Sequence, residues 1–140
     1  MVPRVKLGSR RAAYVAMVAL PLALGILSYV VFRAWVPFVG AHAALWPTAP
    51  HALRDHFADA MWGFALGAFV SLMWSNAKRA HRLAWLGAAM LTAAGMELLQ
   101  LKHTWGGFDS VDLVVQTGSV LVAATVIGGM NRWTWANGTH

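Results

Sequence analysis

The sequence predicts an all-α fold, an integral membrane bundle of four transmembrane helices with both termini in the cytoplasm. Composition is the first observation behind this prediction: 59% of the 140 residues are hydrophobic and only 11% are charged, against roughly 25% charged residues in an average soluble domain. A soluble domain of this size could not cover so much apolar surface. We therefore expect residues 1–140 to form a single transmembrane domain whose apolar side chains face lipid.

Apolar segments of membrane-spanning length are the second observation. Four of them can be read from the sequence, at about residues 12–32, 57–75, 83–101 and 111–130. Each has about 20 residues, enough to cross a hydrocarbon layer of roughly 30 Å as a helix. None shows the alternation that a membrane β-strand requires. The connections are short, which predicts that consecutive helices are antiparallel neighbours.

The first segment also has features of a secretory signal, since Ala41-His42-Ala43 has the small residues of a cleavage site. Signal cores have about 7–15 apolar residues, however, and this segment is longer. Arg33 and Pro37 also stand between the segment and the site. We expect a retained helix that bends at Pro21, because the proline ring removes a backbone donor.

The distribution of basic residues is the third observation, and it predicts the orientation. Eight of them fall on one side of the predicted membrane, at Arg4, Lys6, Arg10, Arg11, Lys78, Arg79, Arg82 and Arg132. The other side has only Arg33, Arg54 and Lys102. Basic residues accumulate in cytoplasmic loops, so both termini are expected in the cytoplasm. Because the net charge of +6 comes from these short clusters, we expect membrane lipids as partners, and no nucleic acid.

The carboxylates are concentrated at the opposite side of the predicted membrane. There are five in the chain: Asp55, Asp59, Glu97, Asp109 and Asp112. Ionisable groups within membrane helices usually face the bundle interior and mark a site. Gln100 is three residues from Glu97, and Gln116 is four from Asp112, so each pair shares a helical face. We predict an outward-facing polar pocket that binds a ligand through Asp59, Glu97, Gln100, Asp109, Asp112 and Gln116.

Structural roles are the alternative for several of these residues. Asp109 is suited to cap the last helix, with Asp112 complementing its dipole in the first turn. Glu97 and Gln100 are suited to interhelical hydrogen bonding. The strip of small residues at Gly63, Gly67 and Ser71 predicts close helix packing rather than a ligand site.

The histidines on the predicted outer side are individually weak indications of chemistry. They are His42, His51, His56 and His103. A haem or pigment would need a histidine within a helix, and the first, third and fourth segments have none. We predict no cofactor and no metal, although the carboxylates and histidines together would permit a metal-assisted enzyme at the outer face.

A signature in the second half of the chain resembles that of the VanZ-like family. It consists of Glu97-Leu-Leu-Gln100, then Gly107-Phe-Asp109-Ser-Val-Asp112, then Gln116 and Gly118. Members of that family have a Glu-x-x-Gln at a helix end, an Asp-x-x-Asp turn, and an Asn followed by Gly in the last helix. The resemblance covers about residues 53–129. In this chain Gln116 replaces the usual Asn, and Asp59 stands where the family has a histidine.

The resemblance implies a multi-pass protein of the bacterial inner membrane. The founding member of the VanZ-like family is associated with low-level resistance to teicoplanin, a glycopeptide antibiotic. We therefore expect an envelope protein that binds a small ligand or lipid headgroup and is linked to glycopeptide tolerance. Two alternatives stay open: an accessory structural subunit bound to membrane protein partners, and an enzyme acting on envelope lipids.

Overall fold

The computed structural model of the protein describes residues 12, 14–32, 51–100 and 109–137; the side chains of residues 32, 51–54, 100 and 131–137 are not described. These parts of the chain are helical and contain no strand. A π-helical segment (Val15–Ala19) leads into α1 (Leu20–Phe32), which is followed by α2 (His51–Met73), α3 (Arg79–Gln100) and α4 (Ser110–Asn137). For this part of the chain, the prediction of an all-α fold with four helices is thus confirmed. Ala41-His42-Ala43 lies outside the described residues.

The π-helical segment precedes the proline that predicted a bend in the first helix. The backbone N–H of Leu20 donates to the carbonyl of Val15, five residues earlier. The next residue, Pro21, has no N–H to donate, so the regular hydrogen-bond ladder is interrupted at this point. Such π-helical turns are typical of places where an α-helix changes direction.

Each helix of the bundle runs antiparallel to the one before it. Trp74 near the end of α2 stacks on Trp85 near the start of α3, with ring centroids 5.0 Å apart. Near the other end of α3, the Glu97 carboxylate accepts a hydrogen bond from the backbone N–H of Asp109, which precedes α4. In the first helix, Gly25 lies against Trp62 of α2, whereas Val18 packs with Ala68. The predicted antiparallel order therefore holds for the described helices.

Alanine is the commonest residue in the core of the bundle, beside valine and isoleucine, and α2 lies at the centre. Ala65, Ala68 and Ala93 are buried, and so is Ala123. Larger apolar side chains point outwards, as Leu91 does with 77% of its surface exposed. Small residues allow helix backbones to approach one another closely. Most of the large apolar residues therefore lie on the outside of the bundle.

Two glycines bring α2 into backbone contact with α4. A Cβ added to Gly67 would lie 2.5 Å from the carbonyl oxygen of Val120 and 2.8 Å from its Cα. A Cβ at Gly63 would overlap the carbonyl oxygen of Gln116. Only glycine fits such an approach, so the predicted role of this strip in close packing is confirmed at both positions. These contacts also show that α2 and α4 run parallel to each other.

By length and composition, two of the described helices are suited to cross a membrane. They are Asp55–Met73, with a mean hydropathy of 1.2, and Ser110–Met130, with a mean hydropathy of 1.8. The apolar stretch Val15–Val31 is shorter. The polar side chains of Arg79, Arg82 and Glu97 reduce the hydropathy of α3. The membrane-spanning role of the first and third helices, like the orientation of the termini, stays a prediction.

Candidate functional site

All five carboxylates of the chain lie at one end of the bundle. Asp55 and Asp59 are in the first turns of α2, Glu97 is in the last turn of α3, and Asp109 and Asp112 are at the start of α4. The helix order explains this, because α2 and α4 begin at the end where α3 finishes. Two helix N-termini with partial positive charge therefore lie beside the acidic residues.

A pair formed by His56 and Asp112 connects α2 to α4 at this end. His56 Nδ1 lies 2.5 Å from Asp112 Oδ1, and the two side chains are 21% and 14% exposed. The pair lies on the helix faces that meet at Gly63 and Gln116, one to two turns closer to the helix starts. Glycine packing therefore sets the separation at which the imidazole and the carboxylate meet.

Asp109 caps α4, which was the structural alternative predicted for this residue. Its Oδ1 accepts a hydrogen bond of 2.8 Å from the backbone N–H of Val111, which is the geometry of an N-cap. Its carbonyl accepts a bond of 3.2 Å from the N–H of Leu113. Capping uses only part of the hydrogen-bond accepting capacity of this carboxylate, since an ionised aspartate has two oxygens and about four acceptor sites.

Glu97 supports the segment that begins α4. Its side chain is buried, with 2% exposed, and its Oε1 accepts the backbone N–H of Asp109 at 3.2 Å. A buried carboxylate is stable only where hydrogen bonds or charges compensate its lost hydration. The contact makes Glu97 a positioning residue that joins the end of α3 to the start of α4.

Three side chains at this end offer donor atoms to a common point. One atom each from His56, Asp109 and Asp112 lies within 4.8 Å of the other two. One imidazole nitrogen and two carboxylate oxygens make a donor set with net negative charge, suited to a cation. Mixed nitrogen and oxygen donors are typical of divalent ions such as zinc. We refer to these three residues as the His-Asp cluster.

The structure places the predicted pocket residues in different relations to this cluster. Asp109 and Asp112 belong to it, and Glu97 contacts it through the backbone of Asp109. Asp59 is half-buried one turn after His56, on the same helical face. Gln116 is half-buried, with its backbone against Gly63. Gln100 is the last residue of α3, and its side chain lies outside the described residues.

His56 was not among the predicted site residues. Taken singly, a histidine near a helix start carries little information. Its position along the helix would have selected it. In a bundle of antiparallel neighbours the second and fourth helices run in the same direction, and His56 and Asp112 both lie near the starts of these helices. Comparing equivalent levels of the second and fourth helices would have paired them.

Comparisons with known proteins gave no match, whether with family models, with curated proteins or with solved structures.

Proposed function

We propose that the protein is a bacterial inner-membrane protein with four transmembrane helices and cytoplasmic termini, and that it binds a small cationic ligand at its outer face. The observation that carries the ligand proposal is the convergence of His56, Asp109 and Asp112. The membrane location is supported by the surface of the bundle and by its charge distribution.

The exposed apolar side chains of the helices support the membrane location. Only 33% of the apolar stretch in α2 and 17% of that in α4 is buried within the fold, whereas the core helix of a soluble protein is mostly buried. Val114 and Met73 are 69% and 63% exposed. Lipid is the environment in which such a surface is stable, with mostly small residues inside the bundle and most of the large apolar ones outside.

Charge distribution supports the orientation. Lys78, Arg79 and Arg82 lie at the end of the bundle opposite to the five carboxylates. Positive charge near the ends of membrane helices favours the cytoplasmic side. The His-Asp cluster would then face outwards, at the level where membrane and aqueous medium meet.

Cysteine accessibility is expected to give opposite results for the two ends. The chain has no native cysteine, so any maleimide labelling comes from a cysteine that has been introduced. Single cysteines are placed at Trp105 and at Asn76, an exposed residue between α2 and α3. In intact cells a membrane-impermeant maleimide should label Trp105→Cys and not Asn76→Cys. The reverse pattern would invert the topology, and labelling of both only after lysis would argue against a membrane location.

A divalent metal ion is the cation that we propose for the His-Asp cluster. Zinc bound at about 2.0–2.2 Å in tetrahedral geometry needs donors roughly 3.4 Å apart. The observed spacing of at most 4.8 Å requires only small side-chain rotations to reach this value. The metal would replace the direct contact between His56 and Asp112, and Glu97 would keep Asp109 in place.

Zinc titration of the purified, tag-free protein tests the proposal. Removal of an outer-shell partner alone typically lowers metal affinity 10–100-fold, so Asp112→Asn, which alters a donor, should lower it by about 100-fold. Asp55→Asn is the matched control, because Asp55 is an exposed carboxylate at the same end of the bundle, next to His56 on α2, and lies outside the cluster. Equal effects of the two substitutions in calorimetric titration would exclude the cluster as the zinc site.

An ammonium headgroup is the other cation that these donors would accept. The titration is therefore repeated in nanodiscs of phosphatidylethanolamine and in nanodiscs of phosphatidylcholine, whose quaternary amine cannot donate hydrogen bonds. For a metal site the zinc affinity should be the same in both. A weaker zinc affinity in phosphatidylethanolamine alone would instead assign the cluster to a lipid headgroup.

The VanZ-like resemblance and the link to glycopeptide tolerance are part of the proposal. The resemblance includes Glu97, Asp109 and Asp112, which meet at one end of the bundle. Expression in a teicoplanin-susceptible bacterium, with Asp112→Asn beside the wild type, tests this link. No change in the inhibitory concentration with the wild type would remove it.

An accessory subunit of a membrane complex is the second candidate function. Ala84, Ala88 and Thr92 are exposed at intervals of four residues on α3, and small residues at this spacing let a second membrane helix approach. A stoichiometric membrane protein that co-purifies in mild detergent, and is lost with Ala88→Leu, would favour this candidate.

A further inference from the structure

A second polar region lies at the opposite end of the bundle from the His-Asp cluster. It is a cavity of about 360 Å³ between the end of α2, the start of α3 and the middle of α4. We call it the arginine cavity, because Arg79 and Arg82 are among its lining residues. The function proposed above does not use it.

The polar side of the arginine cavity is positively charged. Arg79 and Arg82 are three residues apart on α3 and share a helical face. Both are exposed, and within the described part of the chain neither is paired with a carboxylate, since all five carboxylates lie at the other end. Ser71 and Ser75, each with a hydroxyl group, line the same cavity. The region therefore offers guanidinium and hydroxyl donors without an acidic acceptor.

The remaining walls of the arginine cavity are apolar. Leu83, Leu86 and Ile127 line it together with Trp74. The Trp74 ring stacks on that of Trp85 with an interplanar angle of 9°. Tryptophan is enriched at the headgroup level of membranes, where one side of the ring is in lipid and its N–H is near water. Cationic donors and an apolar wall thus share one cavity, a combination suited to a lipid headgroup.

We propose that the arginine cavity binds an anionic phospholipid of the cytoplasmic leaflet. Arg79 and Arg82 would contact the phosphate diester, since a guanidinium group presents donors in a geometry that matches phosphate oxygens. An acyl chain would lie along the leucine and isoleucine side. The inference rests on the membrane location and orientation proposed above, and it is independent of the cation site.

Anionic phospholipid fits the cavity better than a soluble phosphate compound does. A soluble anion would use the two arginines and leave the apolar wall uncovered, whereas a lipid covers both. Basic pockets between transmembrane helices on the cytoplasmic side are typical sites for anionic headgroups. The start of α3 adds the positive end of a helix dipole to the same region.

Native mass spectrometry of the full-length protein in detergent tests the inference. Dioleoyl-phosphatidylglycerol and dioleoyl-phosphatidylcholine are added at equal concentration, and the lipid-bound fractions are compared. We expect preferential retention of phosphatidylglycerol. Because a basic side chain near a headgroup contributes enough to change affinity about fivefold, Arg82→Gln should lower phosphatidylglycerol binding by that factor, and loss of both arginines by about 25-fold.

Lys78→Gln is the matched control for charge. Lys78 is exposed next to α3 and does not line the cavity, so its removal should leave phosphatidylglycerol binding unchanged. Ala124→Phe fills the cavity without changing its charge and should lower binding. Val122→Phe, at an exposed position outside the cavity, should not.

Three outcomes would overturn the inference. Equal binding of the two lipids would show that no anionic headgroup is selected. An equal effect of Lys78→Gln and Arg82→Gln would show diffuse surface charge instead of a site. Displacement of phosphatidylglycerol by millimolar inorganic phosphate would identify a site for soluble phosphate. Carbonate extraction of membranes separates these results from a failure of the membrane location, since a protein released by carbonate would contradict the proposed function itself.

Discussion

Replacing Gly67 by alanine is expected to destabilise the protein by about 3 kcal/mol, the upper end of the range for an overpacked core. The added methyl group would meet the backbone of Val120 at 2.5 Å, and a backbone cannot move aside as a side chain does. The two helices would have to separate along their whole contact. Unfolding of the detergent-solubilised protein by sodium dodecyl sulfate measures the change in the free energy of unfolding.

Gly87→Ala is the matched control, since it is the same chemical change in a helix of the same bundle. No atom lies within 4 Å of a Cβ added to Gly87, so only helix propensity changes there, and the free energy of unfolding should rise by up to about 1 kcal/mol. The two substitutions should thus change the free energy of unfolding in opposite directions. A neutral Gly67→Ala would mean that α2 and α4 are farther apart than described.

A double-mutant cycle on His56 and Asp112 is expected to give a coupling free energy of about 1–3 kcal/mol. The pair connects the starts of α2 and α4, and with exposures of 21% and 14% it is only partly screened by water. Removing either partner leaves the other polar group half-buried and unsatisfied. His56→Phe, Asp112→Ala and the double variant are compared in the unfolding assay, with a chelator present so that no metal contributes.

The control cycle combines His56→Phe with Asp55→Ala. Asp55 is adjacent in the chain but exposed, and a surface charge pair contributes at most about 1 kcal/mol. A coupling in the His56 and Asp112 cycle no larger than in this control would show that the two side chains do not interact in solution.

Much of the fold could be predicted from local features of the sequence. Apolar stretches with short connections predicted four antiparallel helices. Gly63 and Gly67 at a spacing of four predicted close helix packing, and the structure shows that the partner is α4. Helix ends were predicted less well, because a helix can continue into polar residues beyond the end of its apolar stretch. The second helix was predicted from Phe57 and begins at His51, and α4 continues beyond Met130 to Asn137.

The site could be predicted only in part. Carboxylates at matching ends of the helices were visible in the sequence, and the structure places Asp109 and Asp112 together at the start of α4. The partnership with His56 depends on how far α2 is rotated about its axis, and the two residues are 56 positions apart. Helix rotation is set by packing at Gly63 and Gly67, which no local pattern near His56 contains.

Anomalous X-ray scattering at the zinc edge, from crystals of the zinc-loaded protein, tests the central claim most directly. We predict a peak at about 2.0–2.2 Å from donor atoms of His56, Asp109 and Asp112, and no peak there in crystals of Asp112→Asn. A zinc peak confined to other histidines, with the His56 and Asp112 contact intact beside it, would contradict the proposal that this cluster holds a cation.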